Sequence, residues 1–253
     1  MNRNRRTPVR RIPLFLAALL AGFLASGCFN PFQPEIVTQR VTTVAPAPST
    51  PQNAVKLFEW CWVNRGVEEY KGLFTDDYVF QSAELDSAGN TSRDVLTRRN
   101  DEIETAENMF IGSAERPPAA KITLNFDANL VPFNDTRAGK NPRWHKTIRT
   151  SVDLKVDVEE GNTLEVSGHA LFYLTRGDSA LIPPDRVAIG FKPDSLRWWI
   201  DRWEDETIGS AGLVANARGA RPSAVQGEVF ERTMLQVKQF FTYHPAAVAV
   251  SPR

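Results

Sequence analysis

Three carboxylates in one short stretch are the residues whose type and spacing best suit acid–base chemistry. They are Asp201, Glu204 and Asp205, within the sequence WWIDRWED. A carboxylate in an enclosed apolar site can serve as a general base or acid, because such a site moves its pKa toward neutrality. The alternative interpretation is a charged strand end in solvent, and we favour it.

No motif for a nucleophile, a metal or a phosphate accompanies these carboxylates. The sequence has no GxSxG, HExxH, P-loop, paired CxxC or calcium-loop pattern. Its three histidines, His145, His169 and His244, do not stand at metal-ligand spacing from one another. We interpret each as solvated or hydrogen-bonded, and we predict no catalytic residue, no metal and no cofactor.

Large aromatic side chains suit binding better than catalysis. Four of them could line an apolar pocket: Trp60, Phe80, Trp144 and Trp198. They could equally belong to the hydrophobic core, because aromatic residues at helical or strand spacing usually do. Both interpretations stay open at this point.

The segment before Cys28 is typical of an export signal. It begins with five arginines between Arg3 and Arg11 and no acidic residue, and an uncharged apolar run follows from Leu14 to Ala25. A run of about 12 residues is shorter than the roughly 20 that span a bilayer. A basic start, a short apolar run and small residues before a cleavage site describe a secretory signal peptide.

The stretch Leu24-Ala25-Ser26-Gly27-Cys28 resembles the lipobox of bacterial lipoproteins. The resemblance implies that residues 1–27 are removed and that Cys28 is lipidated, which anchors the chain to a membrane. Phe29 after the cysteine implies the outer membrane, facing the periplasm. The alternative is a plain secreted protein, which we consider the weaker interpretation. Cys61 is then left without a disulfide partner, and we expect it to be buried.

The charge balance argues against nucleic acid as a partner. The whole chain has 30 basic and 30 acidic residues. Removal of the five signal-peptide arginines leaves 25 basic against 30 acidic residues, so the mature chain is mildly acidic. Without a basic patch that could neutralise phosphates, we predict no nucleic-acid binding.

The spacing of the apolar residues changes along the rest of the chain and separates it into segments. Residues 28–50 are proline-rich and aperiodic, which indicates a tether. Helical spacing predicts a helix that starts at Pro51 and is interrupted at Gly66, and further helices over residues 67–74 and 101–111. Strict alternation then predicts a long antiparallel hairpin at residues 148–174, with further strands at 186–191 and 196–205. Helices followed by a meander of strands indicate an α+β fold.

Three segments carry a resemblance to a known superfamily: NAVKLFEW at residues 53–60, LFTDDY at 73–78 and WWIDRWED at 198–205. They are similar to the nuclear transport factor 2-like superfamily, which includes ketosteroid isomerases and SnoaL-like polyketide cyclases. The resemblance covers about residues 51–206. It implies a curved antiparallel sheet wrapped around N-terminal helices, a conical cavity and, often, a homodimer. No tyrosine and aspartate here match the catalytic motif of the isomerases.

The last predicted strand has an apolar face that should not be left in solvent, and the C-terminal tail, residues 207–253, could cover it. Strict alternation puts Trp199 and Trp203 on one face, opposite Trp198 and Ile200. An apolar face of that size needs a cover. We expect the cover to be a second subunit or a short amphipathic helix that carries, at helical spacing, Phe230, Met234, Val237 and Phe241.

Two functions remain after the sequence analysis. The first is a non-catalytic, lipid-anchored envelope protein that binds a small apolar ligand or a protein partner in or around the cone. The second is an isomerase- or cyclase-type enzyme that acts on a small hydrophobic substrate in the cone cavity. The missing acid–base constellation favours the first.

Overall fold

The computed structural model describes residues 44–85, 91–158, 161–208 and 229–242 as a mixed α+β unit. The helices are α1 (Pro51–Asn64), α2 (Val67–Lys71), α3 (Arg99–Ile111), α4 (Pro184–Ala188) and α5 (Met234–Thr242). The strands are β1 (Phe74–Leu85), β2 (Thr91–Arg98), β3 (Lys121–Asn125), β4 (Phe133–Asn134), β5 (His145–Asp157), β6 (Thr163–Arg176), β7 (Trp198–Ile208) and β8 (Val229–Glu231). Cys28, the signal peptide and residues 245–253 lie outside the described residues.

Helix α1 begins and ends as its sequence predicts. The Thr50 hydroxyl accepts a hydrogen bond from the backbone N–H of Asn53 at 3.1 Å, and Pro51 occupies the first turn. Arg65 ends the helix in the left-handed conformation, with φ at 58°. The buried face of α1 includes Phe58, Cys61 and Trp62, so the expectation that Cys61 is buried is confirmed.

The strands form one curved sheet, mainly antiparallel, in the order β2-β1-β7-β6-β5-β3. Strand β4 pairs with β5 in antiparallel orientation, and β8 pairs with β6 in parallel where β7 has ended. Strand β1 joins β7 in parallel, a pairing that the sequence did not predict. The predicted long hairpin is confirmed: β5 and β6 pair with Leu154 opposite Val166, and both side chains are buried. The predicted fold class is therefore correct.

Helix α1 lies in the concave face of this sheet. The Phe58 ring meets Phe74 of β1, Phe172 of β6 and Trp203 of β7, with centroids 6.3, 5.2 and 5.1 Å away. One side chain can contact three neighbouring strands because the sheet curves around the helix. The inner face of β1, β7 and β6 is therefore the part of the fold that a site inside the cone would use.

The prediction that Trp199 and Trp203 share one face is wrong. Leu174 pairs with Ile200 while the next residue back, Tyr173, pairs with Arg202, so Asp201 is an extra residue in β7. Such a β-bulge reverses the alternation of side chains beyond it. Trp203 consequently points into the core, and Trp199 points out of it.

Three further segments differ from the sequence prediction. The helix predicted over residues 67–74 ends at Lys71, and Phe74 begins strand β1. Residues 186–191 do not form a strand: Pro184–Ala188 is a short helix, with Pro184 in its first turn. Residues 91–98, for which no element was predicted, form strand β2, and α3 starts at Arg99 instead of at 101. The Arg98 N–H donates to the Asp101 carboxylate at 3.0 Å, which fixes the start of that helix.

Both ends of the described domain are attached to it. The Trp198 N–H donates to the Pro48 carbonyl at 2.8 Å, so the chain already contacts the domain before α1. At the other end, α5 is buried through Met234, Leu235, Val237 and Phe241. The predicted amphipathic helix is present from Met234 and packs on the domain, but Phe230, which was predicted to lie on it, is in strand β8. No helix within the described ranges is long and apolar enough to cross a membrane.

Candidate functional site

A buried polar cluster lies where α2, α3 and α5 meet the inner face of the sheet. Its centre is the carboxylate of Glu102, which is 2% exposed. The Tyr70 hydroxyl donates to one oxygen of this carboxylate at 2.6 Å, and the Tyr78 hydroxyl donates to the other at 3.3 Å. The ammonium of Lys238, on α5, forms an ion pair with the same oxygen as Tyr78.

Each group comes from a different element, and local structure fixes its direction. Glu102 is in the first turn of α3, where the positive end of the helix dipole favours a carboxylate. Tyr70 is on α2, and its hydroxyl accepts a hydrogen bond from the Trp62 indole N–H at 3.3 Å. Tyr78 is on β1 with its side chain on the inner face. Helix α1 and strand β1 thus orient the tyrosines that orient Glu102.

Two aromatic rings contact the Lys238 ammonium. Phe80 of β1 and Trp203 of β7 are direct neighbours across the sheet, and their ring centroids are 4.8 Å apart. Lys238 Nζ lies 3.5 Å from the Phe80 centroid and 4.0 Å from the Trp203 centroid. Both distances are well within the range of cation–π attraction. The ammonium therefore contacts a carboxylate and two ring faces.

The inner face continues beyond these rings to Asp205. The Ser82 hydroxyl donates to its carboxylate at 2.9 Å, and the Thr207 N–H and hydroxyl donate to the other oxygen at 3.0 and 2.6 Å. Thr207 also accepts from the backbone N–H of Met234 at 2.9 Å. This short network joins β1, β7 and the start of α5.

Burial dominates the ionisation of the cluster. Burial lowers the pKa of the Lys238 ammonium, and the charges of Glu102 and Asp205 oppose that change without cancelling it. Burial raises the pKa of Asp205, against the hydrogen bonds from Thr207 and Ser82 and the charge of Lys238. The pKa of Tyr70 and that of Tyr78 are raised, first by burial and then by the charge of Glu102. Both tyrosines are therefore neutral hydrogen-bond donors at neutral pH.

Helix α5 is held along α3 by polar contacts spaced one turn apart. The hydroxyls of Thr105 and Thr242 are 2.7 Å apart. The Asn108 side-chain amide donates to the Phe241 carbonyl at 3.2 Å. Together with the Glu102–Lys238 pair, these contacts place α5 across the part of the inner face that carries Phe80 and Trp203.

The four predicted pocket residues do not form one pocket. Phe80 is in the cluster. Trp198 and Trp144 lie near another end of the sheet, since Trp198 pairs with Arg176 and the Trp144 carbonyl accepts from the Arg176 N–H at 2.8 Å. Trp60 is half-buried at the edge of the core on α1. Of the predicted set, only Phe80 contacts the ammonium and its ring partner.

The three carboxylates of β7 do not all point in the same direction, and the interpretation as a charged strand end in solvent is wrong for Asp201 and for the largely buried Asp205. Asp201 is 8% exposed and pairs with Arg137 at 3.0 Å and Lys140 at 2.7 Å. Glu204 accepts from the Tyr173 hydroxyl at 3.2 Å. Asp205 alone turns to the inner face, because the bulge at Asp201 sets the direction of every later side chain.

Glu102 and Lys238 were not predicted from the sequence, although each carries a recognisable signal. Lys238 follows Met234 by four residues, and Glu102 precedes Ala106 by four. Each charge therefore lies on the buried face of its helix, together with the apolar residues by which that face was recognised. A charged residue on an apolar helix face needs a partner, and the two residues, 136 positions apart, are each other's partner.

Two clefts lie elsewhere on the surface of the described domain. One, of about 280 Å³, is lined by Arg116, Pro118, Val158 and Phe240, among others. The other, of about 610 Å³, is lined by Lys71, Arg99, Asp185 and Arg186, among others. In the second cleft each cation has an acidic partner, such as Asp185 for Arg99 at 3.0 Å. The described residues contain no group of three or more His, Cys, Asp or Glu side chains placed to hold a metal.

Comparisons with known proteins add structural likenesses at low identity. No family model and no curated protein matches the chain. A conserved protein from Planctomyces limnophilus is 14% identical, with 62% of this chain and 93% of that chain covered and a TM-score of 0.41. A nuclear transport factor 2-like superfamily protein from Salmonella enterica is 15% identical (66% and 92% covered, TM-score 0.38). A third, an NTF2-like protein from Cytophaga hutchinsonii, is 14% identical (62% and 95% covered, TM-score 0.35). The fold class rests on the chain's own strands and helices.

Proposed function

We propose that this chain is a lipid-anchored protein of the bacterial envelope whose domain binds a small, largely apolar ligand on the inner face of its sheet. The observation that carries the proposal is the position of Lys238. A charged side chain from the last helix is buried against two aromatic rings on the inner face of the sheet. A site with apolar walls and a few convergent polar groups is the usual form of a ligand pocket.

The anchor is the second part of the proposal and is supported by the sequence. Cys28 follows a short apolar run and three small residues, as a lipidated cysteine does in the signals that this chain resembles. Two or more acyl chains hold a protein on a membrane where one chain binds only marginally. The proline-rich residues between Cys28 and α1 would then separate the domain from the outer membrane.

A non-catalytic role is favoured because both carboxylates of the cluster, Glu102 and Asp205, are already paired. Tyr70 and Tyr78 donate to Glu102, and Glu102 pairs with Lys238. The carboxylate of Asp205 accepts bonds from Ser82 and Thr207. A general base needs a free lone pair within reach of the substrate proton. In this structure, the carboxylates of Glu102 and Asp205 that could serve as a general base are occupied by these hydrogen bonds and by the ion pair.

One observation favours the second candidate, an isomerase- or cyclase-type enzyme. Asp205 lies on the inner face, and its raised pKa is the direction of change that acid–base catalysis uses. The same carboxylate would have to exchange its bonds to Thr207 for a bond to substrate. This candidate therefore requires a rearrangement at the start of α5, where Met234 donates to Thr207.

Mass spectrometry of small molecules that co-purify with the full-length chain tests the proposal. The chain is extracted from membranes in detergent, alongside a Lys238→Ala variant and a Lys238→Ala/Phe80→Ala variant. We expect one small molecule to be enriched in the wild type, to be more abundant in Lys238→Ala, and to be lost when Phe80 is also removed. If neither of the first two chains retains a molecule above the level of an unrelated anchored protein, the binding function is wrong.

A further inference from the structure

We propose that the ligand of the inner face carries an organic ammonium group, and that Lys238 occupies the place of that group in the structure. This inference rests on the proposed function and names the ligand class. It concerns the site formed by Glu102, Phe80 and Trp203, which we call the ammonium site. The ligand would be a cationic amine with an apolar body, and α5 would be its intramolecular competitor.

The ammonium site has the parts that recognise a cation in a dry environment. Glu102 supplies the opposite charge, and the faces of Phe80 and Trp203 supply the negative side of two ring quadrupoles. A neutral apolar ligand would leave the buried carboxylate of Glu102 without a cation, which is costly. The chemistry of the site therefore selects a positive group.

The site is complete without α5. Glu102 is oriented by Tyr70 and Tyr78, and Tyr70 is in turn oriented by Trp62. These residues come from α1, α2, α3 and β1, and the ring of Trp203 comes from β7. Within the described residues, Lys238 is the only contribution of α5 to the polar centre, so another ammonium could replace it without rebuilding the carboxylate.

Stability alone does not account for Lys238. A buried ion pair contributes little compared with well-packed apolar residues of similar volume, because both charges lose their hydration. Burial lowers the pKa of Lys238, which is a sign that this loss exceeds the gain from its acidic neighbours. The ammonium has three N–H donors, and the described residues provide one hydrogen-bond acceptor for them, Glu102.

A second unused donor lies at the same place. The indole N–H of Trp203 is buried and has no hydrogen-bond partner among the described residues. A buried donor without a partner is uncommon and costs free energy. An acceptor on the ligand body could satisfy it.

The ligand must also compete with Lys238, which has a high effective concentration at the site because it belongs to the same chain, commonly millimolar for short flexible linkers. An apolar body that packs on Phe80 and Trp203 would supply the extra affinity.

Chemical rescue of Lys238→Ala tests the inference with n-propylammonium as the probe. This cation matches the three methylenes and the ammonium that the substitution removes, and n-propanol is the uncharged control of the same shape. Binding to the detergent-solubilised full chain is measured by calorimetry and by the shift in melting temperature at pH 7. We expect Lys238→Ala to bind n-propylammonium at least ten-fold more tightly than the wild type and n-propanol at least ten-fold more weakly than n-propylammonium. Adding Glu102→Gln should abolish that preference.

Equal responses of Lys238→Ala to the amine and the alcohol would overturn the inference. Retention of a neutral molecule by the same variant would leave the binding function standing, so the two failures can be told apart. If Lys238→Ala folds in neither solution, the wild-type chain decides by tryptophan fluorescence with 2-phenylethylammonium, whose ring can pack on Phe80 and Trp203 and so compete with Lys238. A saturable change with this amine that 2-phenylethanol does not produce supports the inference, and its absence contradicts it.

Discussion

Trp199 and Trp203 stand four residues apart on strand β7 and lie on opposite faces of the sheet. Trp203 contacts Phe58 in the core, with ring centroids 5.1 Å apart, whereas Trp199 contacts Phe191, 5.7 Å away, outside the core. The extra residue at Asp201 separates them. Neither a second subunit nor α5 is needed to bury Trp199, because Phe191 and the Arg197 guanidinium, 4.7 Å from its ring, lie against it. Helix α5 instead contacts Trp203 through Lys238.

Removal of Phe191 should expose Trp199 and leave Trp203 unchanged. We expect Phe191→Ala to move one ¹⁹F resonance of the 5-fluorotryptophan-labelled chain toward solvent-exposed values and to make it sensitive to a soluble paramagnetic agent. Assignment by Trp199→Phe and Trp203→Phe identifies the signal. If the Trp203 signal moves instead, or both move together, the two rings share a face and the bulge is misplaced.

The buried and exposed faces of β5 and β6 could be predicted from the sequence because apolar and polar residues alternate along both strands. Every even position from Ile148 to Val156 is buried, as predicted. The same rule failed in β7, since a single inserted residue reverses all later positions and leaves no mark in the apolar pattern. Lys238 and Glu102 were missed for another reason: the helix faces were recognised by apolar residues alone, and a pairing over 136 positions is a tertiary property.

The alternation of buried and exposed side chains along β5 provides a matched pair of substitutions. Leu154 is fully buried, and its neighbour Asp153 is exposed. We expect Leu154→Asp to lower the free energy of unfolding by several kcal/mol, because it buries an unpaired charge, while Asp153→Asn changes it by less than about 0.5 kcal/mol. Urea unfolding followed by circular dichroism measures both. Equal effects would show that the facing is wrong.

Asp205 and Asp135 should respond to pH with opposite signs. Burial raises the pKa of Asp205 above 3.8, so the unfolded chain releases this proton first and stability is lost as pH rises from about 4 through the folded-state pKa. Burial also acts to raise the pKa of Asp135. Hydrogen bonds from Arg137 and the charges of Arg137 and Lys140 outweigh it and hold that pKa below 3.8. Its contribution is therefore present above about pH 4 and is lost as pH falls through the folded-state pKa.

Asparagine substitutions separate the two carboxylates. Relative to the wild type, we expect Asp205→Asn to be more stabilising at pH 7 than at pH 3, and Asp135→Asn to be more destabilising at pH 7 than at pH 3. The free energy of unfolding from urea titrations at both pH values is the measurement. The same sign of pH dependence for both variants would refute the assignment of their environments.

The proposed anchor is tested at Cys28. We expect Cys28→Ser to remain an unprocessed precursor or to leave the membrane fraction, because the serine cannot take the lipid that holds the chain. Cys61→Ser is the matched control, since that thiol is buried in the core and should not affect fractionation. Mass spectrometry of the mature N-terminus and membrane fractionation give the result. A Cys28→Ser chain that matures and fractionates like the wild type would exclude lipidation at this residue.

Lys238 reaches from the last helix to the inner face of the sheet and pairs there with Glu102. A double-mutant cycle with Glu102→Gln and Lys238→Met measures that pairing directly, because it isolates the coupling free energy of the two residues from their other contacts. We expect a coupling of about 1.5 kcal/mol or more in the free energy of unfolding at pH 7, with each single variant less stable than the double variant, since each leaves one buried charge unpaired. A coupling near zero, in which the effects of the two single variants add up to that of the double variant, would show that Glu102 and Lys238 are not paired.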